Sequence, residues 1–489
     1  GWVERFWRKA RFDAQKFEED LQRIIDYYNE KGFYDARIVR DTVYLAENTE
    51  DPELVVQVTV HEGPRYYIRR IEWEGNTVYP DHVLTEALGL RPGDPFNRKK
   101  LEENLYGNKR SSDVTSLHMN RGYMLFRVEP RFQVVGDDSL DLYFDIYEGD
   151  IFEFGTISIA GNTKTKEHVI RRELYTIPGE TFSRDAIQES IRRLAQLNYF
   201  NQEALAAGPE VQINPEKKTV DLTYKVEEVG SDQLELSGTW GQLGLILMLR
   251  FTMNNFSAQN IFNGKAWRPL PSGDGQQLSL SIQTNGTYYQ SYGISFTEPW
   301  FRGRPTPVGF AVDYTRFSDY PYYSNIGDLT TFTSRVFYER RLKWPDDYFS
   351  GSLGLGFQYF KNDNFTFTLP LGVSREVTLR AGLTRNALDN PLFPTSGSLV
   401  RLSLDVALPI ANYVQYHKWG LKTSWNIPLA RKVSLAFGTD FGYIGSITGA
   451  PVAFQRFIVG GSPFDTQGAF GYYGKDIVYM RGYPLGVLG

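Results

Sequence analysis

Side chains able to run chemistry are few and scattered along these 489 residues. The histidines are His61, His82, His118, His168 and His417, and no two lie within one helical turn. No HExxH pair therefore offers two metal ligands on one helix face. Cysteine is absent, which removes disulfides, thiolate nucleophiles and Cys-ligated metals. Neither a G-x-S-x-G elbow nor a phosphate-cradling P-loop occurs. Carboxylates such as Asp405 and Glu298 show no sequence pairing that would set up acid–base work. The expectation is a protein that is not an enzyme and uses no cofactor and no metal. Lys+Arg 53 against Asp+Glu 58 gives a net charge of −5, which argues against a nucleic-acid partner.

The composition points elsewhere. Aromatic residues make up 15% of the chain, as 33 Phe, 31 Tyr and 9 Trp, beside 45 Gly. Mean hydropathy is −0.38, and no apolar run approaches the ~18 residues of a spanning helix. That excludes a helical membrane protein and leaves a transmembrane barrel open. Charge is also distributed unevenly. Residues 1–228 hold 31 basic and 41 acidic side chains, whereas 229–489 hold 22 and 17. A soluble domain usually carries ~25% charge. The first part exceeds that value and the second falls well below it, so the main domain boundary is expected near 228.

The first part repeats. Glu62-Gly63 recurs as Glu148-Gly149, Gly75-Asn76-Thr77 as Gly161-Asn162-Thr163, Pro92-Gly93 as Pro178-Gly179, and Phe96 as Phe182, each at an offset of 86. Each unit reads strand, helix, helix, strand, strand. Ile68, Ile71 and Trp73 open the first full unit, and Phe154, Ile157 and Ile159 open the second. Val83, Leu84, Ala87 and Leu88 give a short helix, and a second helix follows a Phe-Asn or Phe-Ser cap. The closing strands fall at 126–135 with 140–147, and at 211–214 with 220–226. The stretch from Phe17 to Thr59 repeats only the second half of a unit, so the sequence is expected to open inside a domain. Small tandem α+β units of this kind serve as spacers or as docking modules whose edge strands pair with an extended peptide.

From 232 onward, segments of about ten residues alternate apolar with small or polar residues. Val433, Leu435, Phe437, Phe441 and Tyr443 oppose Ser434, Ala436, Gly438, Asp440 and Gly442; Leu402, Leu404 and Val406 oppose Arg401, Ser403 and Asp405. A soluble sandwich would put Lys, Glu and Arg on its outer face. Here the polar faces are mostly Gly, Ser, Thr and Gln, which suits a lumen. Aromatics gather at segment ends, as Trp300-Phe301, Tyr320–Tyr323 and Trp344, which suits interfacial girdles. Eleven segments are expected: 232–240, 244–255, 276–285, 287–298, 306–317, 330–341, 349–360, 372–385, 397–408, 413–427 and 432–444. Single-chain barrels close with an even number of strands, so the barrel is expected to be unfinished and the sequence cut at both ends.

Together these features resemble the BamA-type family of outer-membrane assembly proteins, in which periplasmic POTRA domains precede a sixteen-stranded barrel. The resemblance covers essentially the whole chain. It rests on the repeated Gly75-Asn76 and Gly161-Asn162, with Gly122-Tyr123 before the second strand of a unit, and on Thr297-Glu298-Pro299-Trp300-Phe301. It rests also on the turn Asp389-Asn390-Pro391-Leu392-Phe393-Pro394-Thr395-Ser396-Gly397, and on Phe457-Ile458-Val459-Gly460-Gly461 followed by Arg481-Gly482-Tyr483. The implied organisation is a partial POTRA unit at 1–63, POTRA units at 64–149 and 150–229, and an incomplete antiparallel barrel at 230–489 with a long sixth extracellular loop at 446–489.

The resemblance also implies a function, which is assembly and insertion of β-barrel proteins into the bacterial outer membrane by strand templating at a lateral seam. One side of that seam would be the first strand, Gln233-Leu234-Glu235-Leu236-Ser237-Gly238-Thr239-Trp240-Gly241, whose glycines should weaken pairing. The lumen-loop anchor would be Arg481, Gly482 and Tyr483. A planar guanidinium fork, a glycine allowing close approach and a stacking ring suit that role, with Asp405 or Asp440 as wall partners. Spacing from Gly461 to Arg481 is longer than the family's common form. Expected partners are unfolded outer-membrane proteins, outer-membrane lipids and periplasmic or lipoprotein subunits. A two-partner-secretion exporter of the same superfamily and a passive porin or receptor are the alternatives. The exporter usually has two POTRA domains behind a plug helix, and a porin needs no tandem POTRA units.

Overall fold

The computed structural model describes residues 12–45, 54–108, 111–241, 244–267, 270–286, 288–318, 327–365, 369–389, 394–430, 433–447, 455–459, 477–478, 480 and 482–483. The chain forms two compact units, one from residues through 161 with 173–227, the other from 162–172 with 228 onward.

The first unit opens with α1 (Ala14–Glu30), whose N-cap Asp13 accepts from the Gln15 and Lys16 amides. The hairpin β1 (Arg37–Leu45) and β2 (Leu54–His61) follows. The first full repeat runs β3 (Tyr67–Glu74), α2 (Asp81–Leu88), α3 (Arg98–Tyr106), α4 (Val114–Met119), β4 (Arg127–Val135) and β5 (Ser139–Tyr147). The second runs β6 (Glu153–Ala160), α5 (Glu167–Arg171), α6 (Arg184–Gln196), α7 (Gln202–Ala206), β7 (Glu210–Asn214) and β8 (Thr219–Lys225). Sheet orders are β3-β5-β4 and β6-β8-β7, so in each repeat the first strand lies parallel to the last.

Each repeat holds a short extra helix beyond the two expected. In the first, the chain breaks after Tyr106 because Asp113 starts a new turn, accepting from the Ser116 amide at 2.8 Å and the Asn108 amide at 3.1 Å. In the second, Asn201 caps the extra helix by accepting from Glu203 N at 2.9 Å.

The periodicity seen in sequence builds the core. Leu84 and Leu88 of α2, Leu101 and Leu105 of α3, and Leu140, Leu142 and Phe144 of β5 are all buried, and Trp73 stacks on Phe144 at 4.4 Å. Each such side chain contributes about 1.5–3 kcal/mol on burial. The repeated Gly-Asn-Thr has a partner that sequence did not reveal. Glu148 Oε1 accepts from the Thr77 and Val78 amides at 2.7 and 2.8 Å, and Oε2 from the Thr77 hydroxyl. Glu228 does the same for the later turn, taking the amides of Thr163, Lys164 and Thr165 at 2.9, 2.8 and 2.6 Å. Burial pushes both carboxyls upward, but these hydrogen bonds outweigh it and hold them below the usual carboxylate range.

The second unit carries one antiparallel sheet of eleven strands: β9 (Gln233–Gly241), β10 (Gly244–Phe256), β11 (Gln276–Thr284), β12 (Tyr289–Glu298), β13 (Val308–Phe317), β14 (Leu329–Arg341), β15 (Phe349–Asn362), β16 (Gly372–Asn386), β17 (Gly397–Ala407), β18 (Tyr416–Ala430) and β19 (Val433–Gly445). Among the described residues every strand pairs only with its sequence neighbours, so β9 and β19 are the two edges and the sheet is not closed. All eleven expected segments are present. One face displays exposed Val336, Leu353, Leu355, Leu379, Leu402, Phe437 and Phe441. The other face gathers ionic groups, including Arg380–Asp405 and Lys422–Asp440. An apolar outside and a polar inside is the arrangement of a lipid-embedded barrel wall.

Candidate functional site

The first barrel strand is held on one side only. β9 pairs with β10 without a break, Gln233 opposite Thr252 and Gly241 opposite Gly244. Among the described residues no strand pairs with its other backbone row, which is the side on which a closing strand would sit. Leu234 and Leu236 are 69% and 75% exposed on the apolar face. On the polar face Glu235 meets Arg250 at 3.4 Å. Gly238 lies under Leu245 and Leu247, which a Cβ would meet at 3.4 and 3.6 Å. Thr239, Trp240 and Gly241 continue the register, opposite Ile246, Leu245 and Gly244. The strand's root is tied down, since the Asn254 amide donates to Ser231 O at 2.6 Å. A strand with an anchored root can present a template, once its outer edge is opened, without losing its own position.

The expected loop anchor is only partly described. Arg481 lies outside the described residues, as do 390–393 of the marker turn. Gly482 takes φ +88°, the left-handed region that favours glycine, and Tyr483 is 46% exposed. The two carboxylates expected to meet Arg481 already face wall cations, Asp405 opposite Arg380 at 3.7 Å and Asp440 opposite Lys422 at 3.6 Å.

The structure adds a second holding point at the loop's root. Glu376 of β16 is buried and accepts from Thr378 Oγ1 at 2.6 Å, Tyr416 Oη at 2.6 Å and Gln455 Nε2 at 3.0 Å. Lys418 donates to the Gln455 carbonyl at 3.1 Å, and its ammonium sits 4.3 Å from the centre of the Phe457 ring. That ring covers Gly442 so closely that a Cβ there would fall 2.4 Å from it. Beside this cluster is a cavity of ≈ 360 Å³ lined by Arg380, Asp405, Tyr416, Lys418, Gln455 and Phe457 among others. Ile458–Val459 then pairs in parallel with Ile477–Val478, so the loop's two limbs run side by side just ahead of the Arg-Gly-Tyr tip. Sequence reasoning missed Glu376 because its partners lie 40 and 79 positions away on other elements.

Removing that carboxylate has a measurable consequence. A hydrogen bond to a charged group contributes about 1.5–3 kcal/mol. Glu376→Ala should free the root, making trypsin cleavage after Arg456 roughly tenfold faster, since about 1.4 kcal/mol is a factor of ten. Unchanged cleavage in a barrel that still migrates as a folded species would rule out the anchor.

Comparison with known proteins gives a consistent picture. Residues 272–483 match the family model of the Omp85 superfamily domain, and residues 6–63, 66–149 and 152–229 match the POTRA model, described as surface antigen variable number repeat. The outer membrane protein assembly factor BamA of Neisseria meningitidis serogroup B is 24% identical over 503 residues, covering 99% of this chain and 58% of that protein. BamA of Neorickettsia risticii is 27% identical over 251 residues, covering 50% of this chain and 31% of that protein. This chain thus spans less than two thirds of the length of either relative. Among solved structures, BamA from Haemophilus ducreyi lacking POTRA domains 1-3 matches with a TM-score of 0.58 at 21% identity, covering 80% of this chain and 73% of that one. That likeness establishes a shared fold.

Proposed function

Because the chain belongs to the Omp85 superfamily, with POTRA repeats leading into a BamA-type barrel domain, we propose that it assembles and inserts β-barrel proteins into the bacterial outer membrane. The barrel domain lies in the outer membrane and the POTRA repeats in the periplasm. The supporting observation is the eleven-stranded antiparallel sheet with an apolar outer face, which follows directly on the POTRA repeats and begins with a strand rooted at Ser231.

The work required is physical. A client strand entering lipid with unpaired backbone groups pays several kcal/mol for each, by rough estimate. Offering the β9 edge lets those groups pair as they arrive, and the next client strand then pairs with the one before it. No bond is made or broken and no nucleotide is consumed, so the protein acts without enzymatic chemistry. Its partners on this reading are unfolded outer-membrane proteins, the surrounding lipid, and periplasmic or lipoprotein subunits that bind the repeats.

The test is reconstitution. The full-length protein in phospholipid vesicles, given a urea-denatured eight-stranded barrel protein and no nucleotide, should accelerate client folding at least about tenfold over empty vesicles, a barrier reduction near 1.4 kcal/mol. Client folding is read as resistance to protease and to heat-induced mobility shift. Equal rates with and without the protein would reject assembly as its function.

A further inference from the structure

The connection between β10 and β11 is much longer than the barrel's other hairpin turns on the same side. It runs from Ser257 to Gly275 and carries no carboxylate before Asp274, but has Lys265 and Arg268. Its polar groups turn inward. Ser257 Oγ accepts from the Asn260 amide at 3.3 Å, Ala258 N donates to Gln276 Oε1 at 2.7 Å, and the Asn260 side chain donates to Ser272 O at 3.4 Å. At the loop's base, Ser257 also bonds Asp274, which pairs with Lys166 at 2.6 Å. The loop is therefore internally braced.

Its apolar groups turn outward. Phe262 is 96% exposed, Ile261 40% and Trp267 45%. The Trp267 ring already satisfies its donor on Asn260 O at 3.1 Å, leaving its apolar body outside. The next two connections on this side show the same character, with Phe301 exposed in one and Trp344 and Tyr348 exposed in the other. Exposed aromatics at strand ends are what the interfacial girdle of a membrane barrel is made of. The loop after β10 continues that girdle beside the first barrel strand, with added positive charge.

We propose that residues 257–267 form a wedge that inserts Ile261, Phe262 and Trp267 into the periplasmic leaflet of the outer membrane, with Lys265 on anionic phospholipid headgroups. Apolar side chains on a braced, cationic, carboxylate-free loop suit that interface, where apolar burial and headgroup attraction act together. The wedge follows the strand paired with β9, so it disturbs lipid packing where client strands would enter. The proposal rests on the outer-membrane location of the barrel and stands apart from the assembly reading. It can fail while assembly holds.

These 489 residues contain no cysteine, so a site-specific probe meets no competing thiol among them. Asn263→Cys, labelled with an environment-sensitive fluorophore, leaves Phe262 in place as the inserting residue. The full-length protein is reconstituted in vesicles of phosphatidylethanolamine and phosphatidylglycerol containing spin-labelled acyl chains. Quenching at 263 should match that at Trp344→Cys and exceed that at Asp137→Cys, an exposed position in the first POTRA repeat, by about threefold or more. Adding Phe262→Ser should remove most of the quenching, and omitting phosphatidylglycerol should weaken it. Each variant is checked for the mobility shift of a folded barrel. Solvent-like emission at 263 overturns the proposal, as does quenching that survives Phe262→Ser. Emission that shifts only when an unfolded barrel client is added also overturns it, and would reassign the loop to client contact.

Discussion

A disulfide joining the first barrel strand to the strand that closes the barrel is expected to stop client assembly while leaving the barrel folded, and reduction should restore it. The expectation comes from β9, which pairs with β10 on one side and, on the assembly reading, meets the closing strand at an openable seam on the other. If the edge exposed by opening that seam is the template, sealing it removes the surface on which an incoming strand can pair its backbone. The loss should approach the full acceleration given by the unlocked protein, roughly tenfold or more in folding rate. Cysteine at Ser237, midway along the strand, suits the lock, and none of these 489 residues adds a competing thiol. A locked barrel that assembles clients at the unlocked rate would show that opening this seam plays no part.

Gly161→Ala is expected to destabilise the POTRA repeat that contains it by about 3 kcal/mol or more. Gly161 holds φ +94°, and a Cβ there would sit 2.0 Å from the Val226 carbonyl oxygen. Gly75 repeats the arrangement, at φ +88° and 2.3 Å from the Ile146 carbonyl oxygen. Backbone cannot step aside as the tip of a flexible side chain can, so the strand end must move and its ladder with it. A built-in control separates crowding from dihedral strain. Gly179 also has positive φ, +82°, but nothing lies within 4 Å of its would-be Cβ. Gly179→Ala should cost only the dihedral term, about 1–2 kcal/mol. The comparison is read from hydrogen exchange of the Leu222 and Tyr224 amides in the whole chain. Equal effects of the two substitutions would mean the close approach is not what requires glycine at 161.

Most of the architecture was readable in advance because it depends on local pattern. Alternation at period two places each barrel strand directly, and Val433 through Tyr443 show it over a full strand. Helical spacing of Leu84 and Leu88 found α2 even though it is only eight residues long. The outer face was readable too, from the poverty of charge on the polar faces, but which polar groups meet was not, since Arg380 and Asp405 face each other only when neighbouring strands bring them together. Contacts distant in sequence stayed hidden for the same reason. Glu148 and the Gly75-Asn76-Thr77 turn were both visible as repeated landmarks, yet nothing in their spacing says that the carboxylate grips the turn. Nor does the offset of 86 carry over to the second carboxylate, since Glu228 lies 65 positions beyond Thr163 and Glu148 lies 71 beyond Thr77. The extra helices α4 and α7 depend on single caps at Asp113 and Asn201, and each leaves too few residues for periodicity to register.

The pairing of first strand with last in each POTRA repeat bears on how the chain acquires its structure in time. Tyr67 must wait for Ser139 before β3 has a partner, whereas β10 can pair with β9 as soon as it emerges. Long loop closure slows the first kind of step, and short hairpins make the second kind fast. A repeat should therefore form all at once, late and cooperatively, with no stable half. The barrel sheet, in which each strand needs only its predecessor, can grow by successive addition at one end, the same stepwise kinetics it would lend to a client.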